Sequence, residues 1–137
     1  MKKFLSTAYS ENAFNFAALL LRLTFGLLIC VNHGFPKLMH FSNQQSIFPD
    51  PFHIGHRWSL VLVLFAEVFC GLLIALGLFT RVAALVLVIS MSVATFFFLK
   101  KQAIQVDHEG ALFYLTAFFS ILLVGPGRFS IDGMMGK

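Results

Sequence analysis

The chain has 137 residues, of which 58% are hydrophobic and only 12% charged, with a formal charge of +4. So little charge cannot cover the surface of a water-soluble domain of this size, and the length allows one small membrane domain but not two. The basic residues form no stripe interleaved with aromatics, which argues against nucleic acid as a partner.

Lys2 and Lys3 open the chain, where lysines flank a span and meet anionic headgroups. The first apolar segment runs from about Ala13 to Val31, enough to cross roughly 30 Å of hydrocarbon at about 1.5 Å per residue. A charged start before an apolar run also describes a signal peptide. Here Arg22 interrupts the run, no small-x-small cleavage site follows, and Ile29 is too bulky for a lipoprotein site before Cys30. The segment is therefore read as an uncleaved anchor.

Gly34 to Arg57 reads as an irregular connection holding Pro36, Pro49, Pro51, His40, His53 and His56. It is either a lid over one mouth of a bundle or an interfacial loop with its aromatics among the headgroups. His53 and His56 have the spacing of two metal ligands only on an ordered helix. No third ligand accompanies them, so no metal is assigned.

The second span runs from about Trp58 to Phe79 and the third from about Val82 to Leu99. The tight turn Phe79-Thr80-Arg81 makes them antiparallel neighbours. Phe96-Phe97-Phe98 are rings for a pocket or for lipid, and a run of three covers most of a helix face, which favours lipid. The fourth span ends at Gly125-Pro126-Gly127, where a helix loses a donor and gains a left-handed cap. Counted from Gly110 it has about 15 residues, too few; counted from Ala103 it has about 22, with Asp107, His108 and Glu109 in its opening turns and a tight turn at Lys100–Gln102. The expected fold is all-α: an integral membrane four-helix antiparallel bundle, one domain over residues 1–137, with both termini on one side. Lys2, Lys3, Arg81, Arg128 and Lys137 against Lys37, Arg57, Lys100 and Lys101 barely favours cytoplasmic termini.

Arg22 and Glu67 interrupt the first two spans. A charge at bilayer depth costs about 2.5–3.5 kcal/mol on insertion scales, so such residues face a bundle interior and a partner. Each lies about nine residues into its span, or about 13–14 Å from opposite faces, which suggests a mutual ion pair. Arg22, Gly26 and His33 share one helical stripe, and Glu67, Gly71, Ile74 and Arg81 another. Gly26 and Gly71 permit close backbone approach, and Gly71 and Ala75 form a small-xxx-small pair. The pair is either a structural clamp or part of a site. His33, Lys37 and Glu109 converge towards one mouth and suit proton handling. Arg81, Arg128 and Asp132 gather at the other end, with Arg81 and Asp132 expected to pair at the surface. Cys30 and Cys70 form no CxxC and differ in reckoned depth by about 15 Å, too far for a disulfide, so both are read as small core hydrophobes.

Several pieces together resemble the DoxX family of small bacterial inner-membrane proteins. They are Arg22-xxx-Gly26, His33-Gly34, Lys37-Leu38, Glu67 with Gly71, Leu76-Gly77-Leu78-Phe79-Thr80-Arg81-Val82-Ala83-Ala84, Glu109, and Gly125-Pro126-Gly127-Arg128-Phe129-Ser130-Ile131-Asp132. The resemblance implies a multi-pass four-helix bundle of the inner membrane. It also implies a link to redox chemistry: a related subunit belongs to a thiosulfate:quinone oxidoreductase, and another member is associated with a membrane oxidoreductase complex for thiol and oxidative stress. The expected partners are the lipid bilayer and membrane or peripheral redox proteins, with a second copy of the chain as a further candidate. No cofactor ligand set can be matched, and a quinone is the candidate cofactor. Three functions follow: a subunit or partner of a quinone-linked oxidoreductase complex, a non-catalytic membrane scaffold, or a carrier of a small lipophilic or anionic solute.

Overall fold

The computed structural model describes residues 5–8, 10–46, 50, 53–100 and 108–136, without the side chains of residues 44, 97–100, 108, 109 and 111. Every regular element among them is helical: α1 (Glu11–Met39), α2 (Phe41–Gln44), α3 (His56–Leu76), α4 (Thr80–Lys100), α5 (His108–Val124) and α6 (Ile131–Met134). α1 and α3 are each long and apolar enough to cross a membrane.

α1 begins at Ser10, whose hydroxyl accepts the Ala13 N–H at 3.0 Å, with Glu11 in the first turn opposing the helix dipole. It does not stop at Val31. A π-helical turn over Ile29–Gly34 carries the chain onward to Met39. Pro36 is tolerated because it enters the first turn after the π-turn, where the ladder is already interrupted. The expected irregular connection is thus shorter than the sequence suggests, and its first part is helix.

α3 holds a second π-helical turn, Phe65–Cys70, and stops at Gly77 in the left-handed region, φ 75°. Leu78 N–H donates to the Leu73 carbonyl at 2.9 Å and Gly77 N–H to Ile74 at 3.1 Å, the paired bonds of a Schellman cap. α5 ends where the Gly-Pro-Gly run predicts, with Gly125 at φ 88° and its N–H donating to Ile121 at 2.7 Å. The helix start expected at Ala103, and residues 101 and 102 of the expected turn, lie outside the described residues, among which α5 opens at His108.

α1 packs antiparallel on α3. A Cβ on Gly26 would lie 2.8 Å from the Gly71 carbonyl oxygen and 2.9 Å from Ala75 N, so the two backbones touch there. Gly34 sits on Glu67 and Val68. α4 packs chiefly on α5 and also against the π-turn of α3. The shared core includes Ile29, Cys70, Ile74, Leu87, Phe118 and Ile121, all buried. Outward faces stay apolar: Leu20, Leu62, Val82, Phe96 and Phe113 are all exposed. Phe96, 66% exposed, therefore faces outward and not into a pocket; the side chains of Phe97 and Phe98 lie outside the described residues.

Candidate functional site

The expected Arg22–Glu67 pair does not form. Since Gly26 faces Ala75 and Gly34 faces Glu67, Arg22 is level with the end of α3. It lies about twelve residues along the helix from Glu67, roughly 18 Å. Side-chain direction widens the gap. Helical side chains lean towards their own N-terminus, and in antiparallel helices those directions diverge. The depth reckoning failed because α1 runs well past the end of α3 at its N-terminal side.

Glu67 pairs with Lys37 instead. Lys37 Nζ donates to both carboxylate oxygens at 2.8 Å. The Glu67 side chain is 4% exposed and that of Lys37 23%. The two π-turns pack against each other here, one carrying His33 and the other Glu67. A π-turn inserts one residue and rotates everything beyond it by about 100°. Half-buried His33 lies edge-on to Tyr114, with ring centroids 5.1 Å apart, and Tyr114 in turn contacts Phe25 and Phe118, each at 5.9 Å. Glu109 was expected near this group; its side chain lies outside the described residues.

A second polar cluster closes the other end. Arg22, 1% exposed, donates to the Phe129 carbonyl and, at 3.4 and 3.5 Å, to the carbonyls of Ile74 and Ala75 at the negative end of α3. Asp132 supplies a negative charge that acts on it. The Asp132 carboxylate accepts the N–H groups of Phe79 and Thr80, both at 3.0 Å, and so caps α4 from 52 residues away in sequence. Asp132 N–H returns a bond to the Gly77 carbonyl at 2.9 Å. Asp132 is therefore 5% exposed and a helix cap, buried where the sequence suggested a place at the surface beside Arg81. Arg81 is exposed and lies beside Gly125. The Arg128 side chain is 67% exposed and reaches Glu11 at 3.6 Å, while its backbone N–H donates to the Asn15 side chain at 3.0 Å.

Cys30 and Cys70 are both free. The reckoned depth difference between them is not found: the Cys30 Cβ lies 3.5 Å from where a Cβ on Gly71 would be. Among the described residues no group of three His, Cys, Asp or Glu could hold a metal ion. Lys37 and Glu67 are both candidates in the sequence, but nothing in it joins them. Nor does it show the tie from Arg22 to Phe129, a bond to a backbone carbonyl that leaves no side-chain signature.

A model of the DoxX family matches residues 17–100, a segment that holds Arg22, His33, Lys37, Glu67 and Arg81. No curated protein and no solved structure matches the chain.

Proposed function

The chain belongs to the DoxX family of membrane proteins, and we propose that it is a multi-pass inner-membrane subunit or partner of a quinone-linked oxidoreductase complex acting in thiol, sulfur or oxidative-stress chemistry. In this reading α1, α3, α4 and α5 are its four spans, forming an antiparallel bundle with both termini on one side. The apolar outward faces and the length of α1 and α3 support that placement.

The observation that carries the proposal is the Lys37–Glu67 ion pair set between apolar helices, with Glu67 buried. Charge inside a span is costly and marks a path or a binding group. A quinone headgroup needs hydrogen-bond donors for its carbonyl oxygens and flat neighbours for its ring. Lys37 and His33 are donors of the right type, and Tyr114, Phe25 and Phe118 are flat neighbours, so the residues fit such a group. A bound quinone supplies a carrier that takes up electrons and protons together. This chain's own residues then orient the headgroup, exclude bulk water and hold a proton at the Glu67 carboxylate or the His33 ring.

The test is mass spectrometry of the lipids that copurify with gently solubilised protein. A quinone enriched over a control membrane protein, and lost in Lys37→Met, is the expected result. No enrichment, or enrichment unchanged in Lys37→Met and Glu67→Gln, rejects the quinone assignment and leaves a scaffold role.

A further inference from the structure

The two polar clusters differ in exposure. Exposure falls stepwise from Lys37, at 23%, to Glu67, at 4%. Among the described residues at the opposite end, the polar cluster is closed off: Arg22 is 1% exposed, Thr80 0%, and Ser130 and Asp132 5% each. What covers that end is the strap of residues 125–132. Gly127 lies against Ala18 and Asn15, Ser130 Oγ donates to the Gly127 carbonyl at 2.8 Å, and Asp132 is fastened to Gly77, Phe79 and Thr80. Arg22 is the tie, because its guanidinium joins the strap at Phe129 to the last turn of α3 at Ile74 and Ala75.

We infer that water, protons and polar ligands reach the Lys37–Glu67 pair from one face of the membrane only, the face next to Lys37, because the Arg22-tied strap seals the other end. The inference rests on the membrane reading above and goes beyond it by giving the site a sidedness. A carrier opens its site to each face in turn. A sealed end instead suits a site that takes its proton or ligand from one face and is worked on by a partner there.

Membrane-impermeant labelling tests this. In full-length protein with Cys30→Ser and Cys70→Ala, single cysteines are placed at Lys37, Glu67 and Ser130. Two markers, Ile54→Cys and Met134→Cys, report the two ends, since both residues are well exposed. A sulfonated methanethiosulfonate is applied to each face of sealed vesicles. The markers should react from opposite faces. Lys37→Cys and Glu67→Cys should react only from the Ile54 face, and Ser130→Cys slowly from either. Adding Arg22→Ala should speed Ser130→Cys labelling from the Met134 face by at least about tenfold, as expected when a charge-assisted hydrogen bond holding a local structure shut is removed. If Arg22→Ala does not accumulate, Asp132→Asn loosens the same strap and should give the same direction. Labelling of Glu67→Cys from the Met134 face, fast labelling of Ser130→Cys with Arg22 intact, or failure of both Lys37→Cys and Glu67→Cys to react from the Ile54 face overturns the inference. Markers that react from the same face overturn the membrane reading itself.

Discussion

Lys37 and Glu67 meet through both carboxylate oxygens at 2.8 Å, and this contact ties the last turns of α1 to the middle of α3. The two ends of the bond are not equivalent. Glu67 is almost fully enclosed, whereas Lys37 keeps an exposed flank on a flexible stem.

That asymmetry sets the first prediction. Lys37→Met strands a carboxylate in low dielectric and should cost roughly 3–5 kcal/mol. Glu67→Gln leaves an ammonium that can turn outward, so it should cost clearly less. The double variant should recover most of the loss, because no buried charge remains. Thermal unfolding of detergent-solubilised protein checks this, and equal loss in the two single variants would contradict it.

Gly26 gives the second prediction. A Cβ there would meet backbone atoms of Gly71 and Ala75, which cannot swing aside as a side-chain tip can. Gly26→Ala should force α1 and α3 apart and cost about 1–3 kcal/mol. A melting temperature unchanged from wild type would show that the helices do not touch there.

Local signals in the sequence were legible. Gly125 marks a helix end because glycine adopts its left-handed backbone easily, whereas the second span reads on to Phe79 and α3 stops short of it at Gly77. The apolar runs locate α1, α3 and α4, and the small residues Gly26, Gly71 and Ala75 locate a close contact. Pairing was not legible. Which residue of α1 faces Glu67 depends on how far the helices slide past one another, and no local pattern carries that offset. The π-turns add a second obscurity, since a stripe drawn at constant angle from Arg22 to His33 slips phase at Ile29. The Asp132 cap was hidden because an N-cap is sought beside its helix, whereas this one arrives from the far end of the chain.

The start of α3 is pH-sensitive in a definite direction. Desolvation pushes the Asp50 carboxyl up, but the Gly55 N–H, the Ser59 hydroxyl, the Ile54 N–H and the charge of His56 together hold it below the ordinary carboxylate value. A pKa lower in the folded state than in the unfolded one means that Asp50 adds stability above the unfolded value of about 3.9, and that this is lost as pH falls through the folded value. Amide exchange at Ile54 and Gly55, corrected for intrinsic rates, should therefore show protection near neutrality that fades in acid. Asp50→Asn should flatten that dependence, and a profile unaltered by the substitution would refute the assignment.

Arg22 and Asp132 supply the last prediction, which concerns geometry more than charge. Arg22 reaches three carbonyls on two segments with a planar fork, and an ammonium cannot span them from one position. Arg22→Lys should keep the charge facing Asp132 yet release the strap, lowering the melting temperature and raising amide exchange at Asp132, whose N–H is held by the Gly77 carbonyl. Asp132→Asn keeps one good acceptor for the α4 N-terminus and should be milder than Asp132→Ala, which removes the cap at a cost of about 1–2 kcal/mol. The effects of Arg22→Lys and Asp132→Ala should be less than additive, since each loosens the same strap. Full additivity would mean that the guanidinium and the cap act on separate parts of the molecule, and the closed end would then have no single tie.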